Sequence, residues 1–247
     1  MKRKLSATLL AITGVAFAFC LPASAADLGV RPAAVPPPPT YPWNGFYVGG
    51  NLGGAFSIER ETVGSAFLGN PATFSTNPSG VLGGFQAGYN LQFSPQWLIG
   101  IEGEFDFTSA QGTGNVNTQM VGPTPPGQAG ALTTDHNWYA TLDGRLGYVM
   151  GPLLLYGKGG VAWMDAKYSF VAVGAVIGPS TVTATRTGWT AGGGIEAFIT
   201  PRWSAKLEYD FLDFATASYG FPITGTAISF NNTQVHEVKL GVNYHWQ

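Results

Sequence analysis

The sequence is poor in charged residues and in cysteine. Only 11% of its 247 residues are charged, whereas about a quarter of an ordinary soluble domain is charged. The single cysteine, Cys20, lies near the amino terminus in a segment that we expect to be removed. Neither disulfides nor thiolate chemistry is then available to the mature chain. The low charge indicates that much of the surface faces something other than water.

Long apolar runs are also missing. A membrane-spanning helix needs about 20 apolar residues, and no run in the chain reaches that length. The first 25 residues instead have the basic start, apolar stretch and small-residue triplet, Ala-Ser-Ala at 23–25, of a secretory signal. We therefore predict a signal peptide over 1–25, cleaved after Ala25. Phe19, directly before Cys20, argues against a lipoprotein signal.

A proline-rich leader follows at 26–42, with four consecutive prolines at 36–39 that favour an extended spacer. We predict that this leader is periplasmic. Signal removal takes three of the 12 basic residues and none of the 14 acidic ones, which leaves a net charge near −5. That charge argues against a nucleic-acid partner.

Residues 43–247 are predicted to form one domain of alternating strands. Eight segments have the period-two alternation of a strand and roughly the 9–11 residues that cross a membrane when tilted. They are 45–56, 80–93, 97–108, 137–149, 153–163, 188–199, 203–212 and 235–246. Short turns at 94–96, 150–152 and 200–202 alternate with long links at 57–79, 109–136, 164–187 and 213–234. The pattern predicts an all-β fold, an eight-stranded antiparallel up-and-down transmembrane β-barrel with periplasmic termini and extracellular long loops.

Alternation alone does not say which face is outside, and a lipocalin-like soluble barrel stays an alternative. Tryptophans at the predicted strand ends favour the membrane, because indoles collect at the two membrane interfaces. The predicted interface aromatic girdle comprises Trp97, Trp138, Trp163, Trp189, Trp203 and Trp246. Trp43 precedes the first strand on the short-turn side.

With the apolar face outward, the charged residues of the strands point into the lumen and must pair there. The predicted lumen ion-pair network comprises Glu102, Glu104, Asp106, Asp143, Arg145, Lys158, Glu196, Lys206, Glu208, Asp210, Glu237 and Lys239. Hairpin register sets Glu196 opposite Lys206 and brings Asp143 and Arg145 beside Lys158. Across the long links, where register is looser, Glu102 is expected to meet Arg145 and Asp210 to meet Lys239. Inward glycines are expected to leave room for the large side chains, since eight strands enclose a space that side chains nearly fill.

Catalysis and metal binding find little support. Neighbouring carboxylates on one strand fit structural ion pairing better than a glycosidase cleft. His136, His236 and His245 are far apart in the sequence, and we interpret them as surface or interface residues; a meeting of His136 and His236 at the extracellular rim is a weaker alternative. No catalytic residue, metal ligand or cofactor is predicted.

Several stretches resemble the small outer-membrane β-barrel proteins of alphaproteobacteria, often called outer-membrane immunogenic or porin-family proteins and related in fold to the OmpA transmembrane barrel. They are WNGFYVGGNLGGAF at 43–56, DGRLGYV at 143–149, LLYGKGGVAW at 154–163 and VKLGVNYHW at 238–246. The resemblance implies a bacterial outer-membrane location, contact with lipid and lipopolysaccharide, and assembly machinery that recognises the last strand. That family usually ends on an aromatic residue, whereas Gln247 follows Trp246 here.

The function that follows is structural: the barrel spans and stabilises the envelope and presents surface loops. Two alternatives are a narrow porin-like channel for small solutes and loop-mediated binding of haem or a host surface molecule. Conductance in planar bilayers distinguishes the channel, and deletion of 109–136 is expected to abolish loop-mediated binding. An enzyme is the least favoured class.

Overall fold

A computed structural model describes residues 41–63, 72–118, 127–172, 180–221 and 226–246. The predicted signal peptide, most of the leader and Gln247 lie outside these residues. The strands are β1 (Gly45–Ile58), β2 (Glu61–Val63), β3 (Ala72–Phe74), β4 (Ser79–Gln92), β5 (Trp97–Thr108), β6 (Gln111–Thr118), β7 (Gly127–Met150), β8 (Leu153–Ala172), β9 (Ser180–Phe198), β10 (Trp203–Phe214), β11 (Ala217–Phe221), β12 (Thr226–Phe230) and β13 (Thr233–His245). Among the described residues, no helix is long and apolar enough to cross a membrane.

Eight of these strands close into a ring. Antiparallel ladders join them in the order β1, β4, β5, β7, β8, β9, β10 and β13, and β13 pairs with β1 again. Leu52 of β1, for example, lies opposite Gly83 on one side and Leu240 on the other. Because the ring has no free edge, every strand backbone within it has partners on both sides. The predicted eight-stranded barrel is confirmed.

The predicted long loops are partly wrong, because much of each described link is itself strand. β7, β8 and β9 run past the neighbouring ring strands, and β6 pairs with the outer half of β7. The short strands β11, β12, β2 and β3 form a second, four-stranded sheet. These strands are rich in polar residues such as Thr, Asn and Ser. That composition is also typical of loops, so the sequence did not indicate them as strands. Deleting 109–136 would therefore remove barrel wall rather than a loop.

The polarity of the wall reverses along β7, β8 and β9. Within the ring, Leu142, Leu155 and Ile195 are exposed on the outside while Asp143, Lys158 and Glu196 are buried inside. Past Trp138, Trp163 and Trp189 most buried side chains are apolar, and the outer face carries threonine, serine, lysine and aspartate. This apolar interior, the extracellular core, is lined by Leu132, Met164, Tyr168, Phe170, Phe214, Ile228 and Phe230, among others. The outer wall is therefore suited to contact with hydrocarbon at the level of the ring and to contact with water above it.

A bulge changes the phase of the inward and outward alternation between the two levels of β7. The ladder with β8 shifts register between His136 and Trp138. Asn137 is exposed, so Tyr139 and His136 both point inward although they are three residues apart. Strict alternation would place His136 outward with Trp138, which is why the sequence did not indicate its buried position.

The predicted girdle tryptophans lie at two levels of the outer wall. Trp97, Trp203 and Trp246 are exposed beside the short turns, and Trp189 is exposed at the opposite level, where Trp138 and Trp163 are half-exposed. Trp43, which the sequence placed with the short-turn residues, is instead 1% exposed and packs inside the barrel mouth.

The reversal of polarity predicts opposite tolerances at two outward positions. Leu240 lies midway along β13 and is 65% exposed on the apolar wall, so Leu240→Arg should lower the free energy of unfolding by about 2–4 kcal/mol in lipid vesicles. Thr183→Arg, on the outer face of β9 past Trp189, should change it by less than about 0.5 kcal/mol. Urea unfolding followed by tryptophan fluorescence measures both. Equal losses would contradict the placement of the membrane.

Candidate functional site

The lumen holds all twelve residues of the predicted ion-pair network, each no more than 7% exposed. They come from β5, β7, β8, β9, β10 and β13, and the ring places them within one narrow space. Glycines supply the room: a Cβ on Gly88 would collide with the Tyr47 ring, and one on Gly192 with the Asp210 carboxylate. The large inward side chains therefore occupy the space that these glycines leave free.

Glu104 is the centre of the network. Its carboxylate accepts hydrogen bonds from the ammonium groups of Lys158 at 2.6 Å, Lys206 at 2.9 Å and Lys239 at 2.9 Å. Glu208 lies on the other side of the same ammonium groups, 2.9 Å from Lys158 and 3.2 Å from Lys206. Charges buried this deeply are tolerated only when each has several partners.

Arg145 organises the periplasmic half of the lumen. Its guanidinium lies 3.3 Å from Glu102 and 2.9 Å from Glu196, and donates to the Tyr47 hydroxyl at 2.7 Å. The same guanidinium lies over the Tyr156 ring, 3.8 Å from its centroid. The sequence did not single out Tyr47 or Tyr156 as network members, although both occupy inward positions of their strands.

The network contains more carboxylates than cationic side chains. Lys239 lies 2.8 Å from Asp210, 3.2 Å from Glu237 and 3.4 Å from Asp106, while Asp143 lies 3.6 Å from Lys158. Eight carboxylates thus share four cationic side chains among the network residues.

One suggested pair is wrong. Glu196 and Lys206 are cross-strand partners, yet Lys206 reaches Glu104 and Glu208, and Glu196 bonds to Arg145, Ser204 and Asn243. Lys206 reaches across the lumen to Glu104 of β5 and along its own strand to Glu208, so cross-strand register does not decide its partners.

An aromatic cluster closes the periplasmic mouth. The Trp43 indole donates to the Gly151 carbonyl at 3.0 Å and packs on Phe198, with ring centroids 4.4 Å apart. Leu98 and Leu154 are buried in the same cluster. Trp43 thus lies across the end of the lumen nearest the short turns.

Directly inside this closure lie a serine, a histidine and a glutamate that do not form a catalytic triad. Ser204 contacts both Glu196, at 2.5 Å, and His245 Nε2, at 2.9 Å. A triad needs the acid on the opposite ring nitrogen from the nucleophile, whereas Glu196 also lies on Nε2, 3.3 Å away. All three residues are buried, so a substrate has no access to them.

The histidines differ from their interpretation as surface residues. His136 and His245 are buried, and only His236 is on the outer wall, where it contacts the Tyr209 hydroxyl at 2.7 Å. His136 and His236 do not meet. His136 instead joins Glu59 at 3.1 Å and Tyr139 at 2.6 Å.

A second buried polar cluster, the rim cluster, lies above the lumen and was not found from the sequence. It comprises Glu59, Glu61, Thr76, His136 and Arg186. Arg186 donates to Thr233 at 2.6 Å and to the backbone carbonyls of Phe214 and Ala215. Glu59, Glu61 and Arg186 lie in the predicted long links 57–79 and 164–187, and the sequence did not indicate the strands that bury them.

Metal binding by the lumen carboxylates is opposed by their own lysines. Oxygens of Glu102, Glu104 and Glu208 lie within 4.8 Å of one another, a spacing at which a cation fits. Lys158 and Lys206 already place their ammonium groups against this trio, each 3.6 Å from Glu102. The chain supplies there the positive charge that an ion would bring.

Comparison with known proteins agrees with this architecture. Residues 12–245 match the family described as outer membrane protein beta-barrel domain. The 31 kDa outer-membrane immunogenic protein of Brucella melitensis is 29% identical over 248 residues, covering 94% of this chain and 97% of that protein. The 22 kDa outer membrane protein of Rhizobium leguminosarum bv. viciae is 29% identical, covering 84% and 80%. Among solved structures, the outer membrane protease OmpT of Escherichia coli is similar in fold alone, with a TM-score of 0.52 at 10% identity, covering 85% and 99%.

Two lysines of β8 test the importance of the network. Lys158 is buried among lumen carboxylates, and Lys167 is exposed on the outer wall. Lys158→Met leaves carboxylates without their counter-charge and should lower the free energy of unfolding by about 3–5 kcal/mol. Lys167→Met should change it by less than about 0.5 kcal/mol. Urea titration in detergent micelles measures both, and a Lys158→Met variant as stable as the parent would show that the network does not hold the barrel.

Proposed function

Since the chain belongs to the outer membrane protein beta-barrel domain family, we propose that it is a sealed structural barrel of the bacterial outer membrane. In this proposal it strengthens the envelope and holds a rigid structure outside the membrane. The observation that carries the proposal is that the lumen is obstructed at three successive levels. The two relatives named above are outer-membrane proteins, and this chain, a member of the outer-membrane barrel family, is located in the same membrane.

The three obstructions differ in chemistry. The Trp43 cluster closes the periplasmic mouth, and the ion pairs around Glu104 cross the middle of the lumen. At the extracellular end Tyr168 packs on Phe230, with ring centroids 4.0 Å apart, within an apolar core. An ion crossing this barrel would have to break buried charge pairs and then enter an apolar region, and both steps are costly. This obstruction favours the structural role over the porin-like alternative.

Conductance tests the sealed barrel. The purified protein should show no discrete current steps in planar bilayers in 1 M KCl at either polarity. Tyr168→Ala should stay silent as well, because the ion pairs and the Trp43 cluster remain. A known porin inserted in the same bilayers is the positive control. Regular current steps that scale with protein concentration would favour the channel instead.

The outer face above the tryptophans supports lipopolysaccharide as the lateral partner. β8 continues for nine residues past Trp163, which is about 23 Å above the membrane at a rise of ~3.3 Å per residue and a tilt of ~40°. β6 exposes Thr113 on this face, and β9 exposes Thr181, Thr183 and Thr185. Hydroxyl groups continuous with the lipid-facing wall suit the sugars of the outer leaflet better than hydrocarbon.

Stability in two kinds of vesicle tests this partner. Thr183→Ala with Thr185→Ala removes two outward hydroxyls. We expect the parent protein to melt at a higher temperature in lipopolysaccharide vesicles than in phospholipid vesicles. In the double variant this difference in melting temperature should be less than half as large. Thr190→Ala, on the inner face of the same strand, should shift the melting temperature equally in both. An identical gain in the double variant and the parent would refute the contact.

A further inference from the structure

Two buried carboxylates of the rim cluster share one hydroxyl group. Thr76 Oγ1 lies 2.5 Å from Glu61 Oε1 and 3.1 Å from Glu59 Oε2. All three side chains are buried, with Glu61 at 0% and Glu59 at 1% exposure. Between the two carboxylates there is thus a single hydroxyl, and no cation lies between them.

Counting protons shows what this geometry requires. A threonine hydroxyl has one proton to donate and lone pairs with which to accept. It therefore donates to only one of the two carboxylates. The short contact with the other is a hydrogen bond only if that carboxyl group brings a proton of its own.

The surroundings select Glu61 as the protonated partner. Glu59 has its own donor, because His136 Nε2 lies 3.1 Å from its Oε1, whereas Glu61 Oε2 has no hydrogen-bond partner among the described residues. Burial, aided by the nearby Glu59 charge, outweighs the hydrogen bonds from Thr76 and from the backbone of Glu61 and raises the pKa of Glu61 to about 7. Burial also opposes ionisation of Glu59, but the His136 bond and charge, with Arg186, hold the pKa of Glu59 below its usual value.

The other titratable groups near Glu59 and Glu61 lie on the ring wall or are exposed to solvent. Tyr139 on β7 lies behind His136. Arg186 on β9 and Tyr168 on β8 approach Glu59 from the other side. Arg60 is exposed, and its carbonyl accepts from the Asn231 amide at 2.9 Å. Glu61 therefore faces one negative charge and no cationic partner within hydrogen-bonding distance.

These contacts join two parts of the fold that share no ladder. Glu61 begins β2 of the four-stranded sheet, which pairs with β3 and β12. Thr76 follows β3, and Glu59 connects through His136 to β7 of the ring. Among the described residues the two sheets have no ladder pairing with each other. The chain of contacts Glu61–Thr76–Glu59–His136 thus fastens the four-stranded sheet to the wall.

We propose that Glu61 and Glu59 form a proton-dependent latch that holds the four-stranded extracellular sheet on the rim of the barrel, tightest in acid and looser towards neutral pH. The latch is independent of whether the barrel conducts. It makes the exposed end of the protein responsive to the acidity of its surroundings while the membrane ring stays unchanged.

The direction of this pH dependence follows from proton linkage. The carboxyl group of Glu61 holds its proton more tightly when the sheet is closed than when it is open. Protection from opening is therefore complete below the ordinary pKa of about 4.5 and falls as the pH approaches 7. The opening equilibrium should rise about tenfold per pH unit between 5 and 7, about a hundredfold in all, and level off above 7.

Hydrogen exchange of the whole protein in detergent measures this opening. Protection factors of the β2 and β3 amides, corrected for the intrinsic exchange rate, should fall about a hundredfold from pH 5 to pH 7. Protection of β2 and β3 that does not change with pH in the parent protein would overturn the proposal.

Three variants assign the effect to the latch. Glu61→Gln stays neutral at every pH, so its β2 and β3 protection should vary less than threefold between pH 5 and 8. Thr76→Val removes the hydroxyl that the two carboxyl groups share and should move the transition away from the parent's pH. Asp165→Asn neutralises a carboxylate on the outer face of β8 and should keep the parent's hundredfold change.

Gel migration without boiling checks that each variant is folded. If Glu61→Gln does not fold, Thr76→Val decides the question alone, since an unmoved transition would reject the role of the shared hydroxyl. A Glu61→Gln variant that keeps the parent's pH dependence would likewise overturn the latch.

Discussion

The structure depends on closure of the strand ring. In hydrocarbon an unpaired backbone amide costs several kcal/mol, so a sheet that crosses the membrane must leave no edge. Eight strands meet this requirement with a lumen only wide enough for side chains. The outward positions must then be apolar, and every polar strand residue has only the lumen to occupy.

That lumen explains the unusual arrangement around Glu104. Three lysines from three different strands converge on one carboxylate, and each also contacts further acids. Isolated pairs would leave charges without partners in a space with little water, whereas shared contacts distribute them. Above the membrane the constraint is lifted, and the same strands bury Tyr168 and Phe230 as a soluble protein would. The protein thus combines two opposite packing rules in continuous strands.

The membrane part of this architecture is predictable from the sequence because period-two alternation is strong there. β5 has the predicted bounds, Trp97–Thr108, and its acids point inward. The extracellular part is not predictable in the same way. Its strands alternate threonine with alanine or valine, and the Asn137 bulge changes the phase of β7, so the burial of His136 has no simple sequence signal.

The sequence predicts which charged residues lie in the lumen but not which of them pair with one another. Alternation identifies which charges face inward, yet a lysine side chain can reach several strands, so register suggested Glu196 for Lys206 when its partners are Glu104 and Glu208. Trp43 shows the same limit: its position before β1 suggests an interface residue, and only the closed mouth with Phe198 and Gly151 explains its burial.

Accessibility along one strand tests the inverted polarity most directly. Single spin labels at each position from 236 to 244, in a chain lacking Cys20, can be compared for collision with oxygen in lipid and with a water-soluble nickel chelate. The account predicts oxygen maxima at Val238, Leu240, Val242 and Tyr244, with minima at Glu237, Lys239, Gly241 and Asn243. The opposite phase, or high nickel accessibility at 238, 240 and 242, would contradict it.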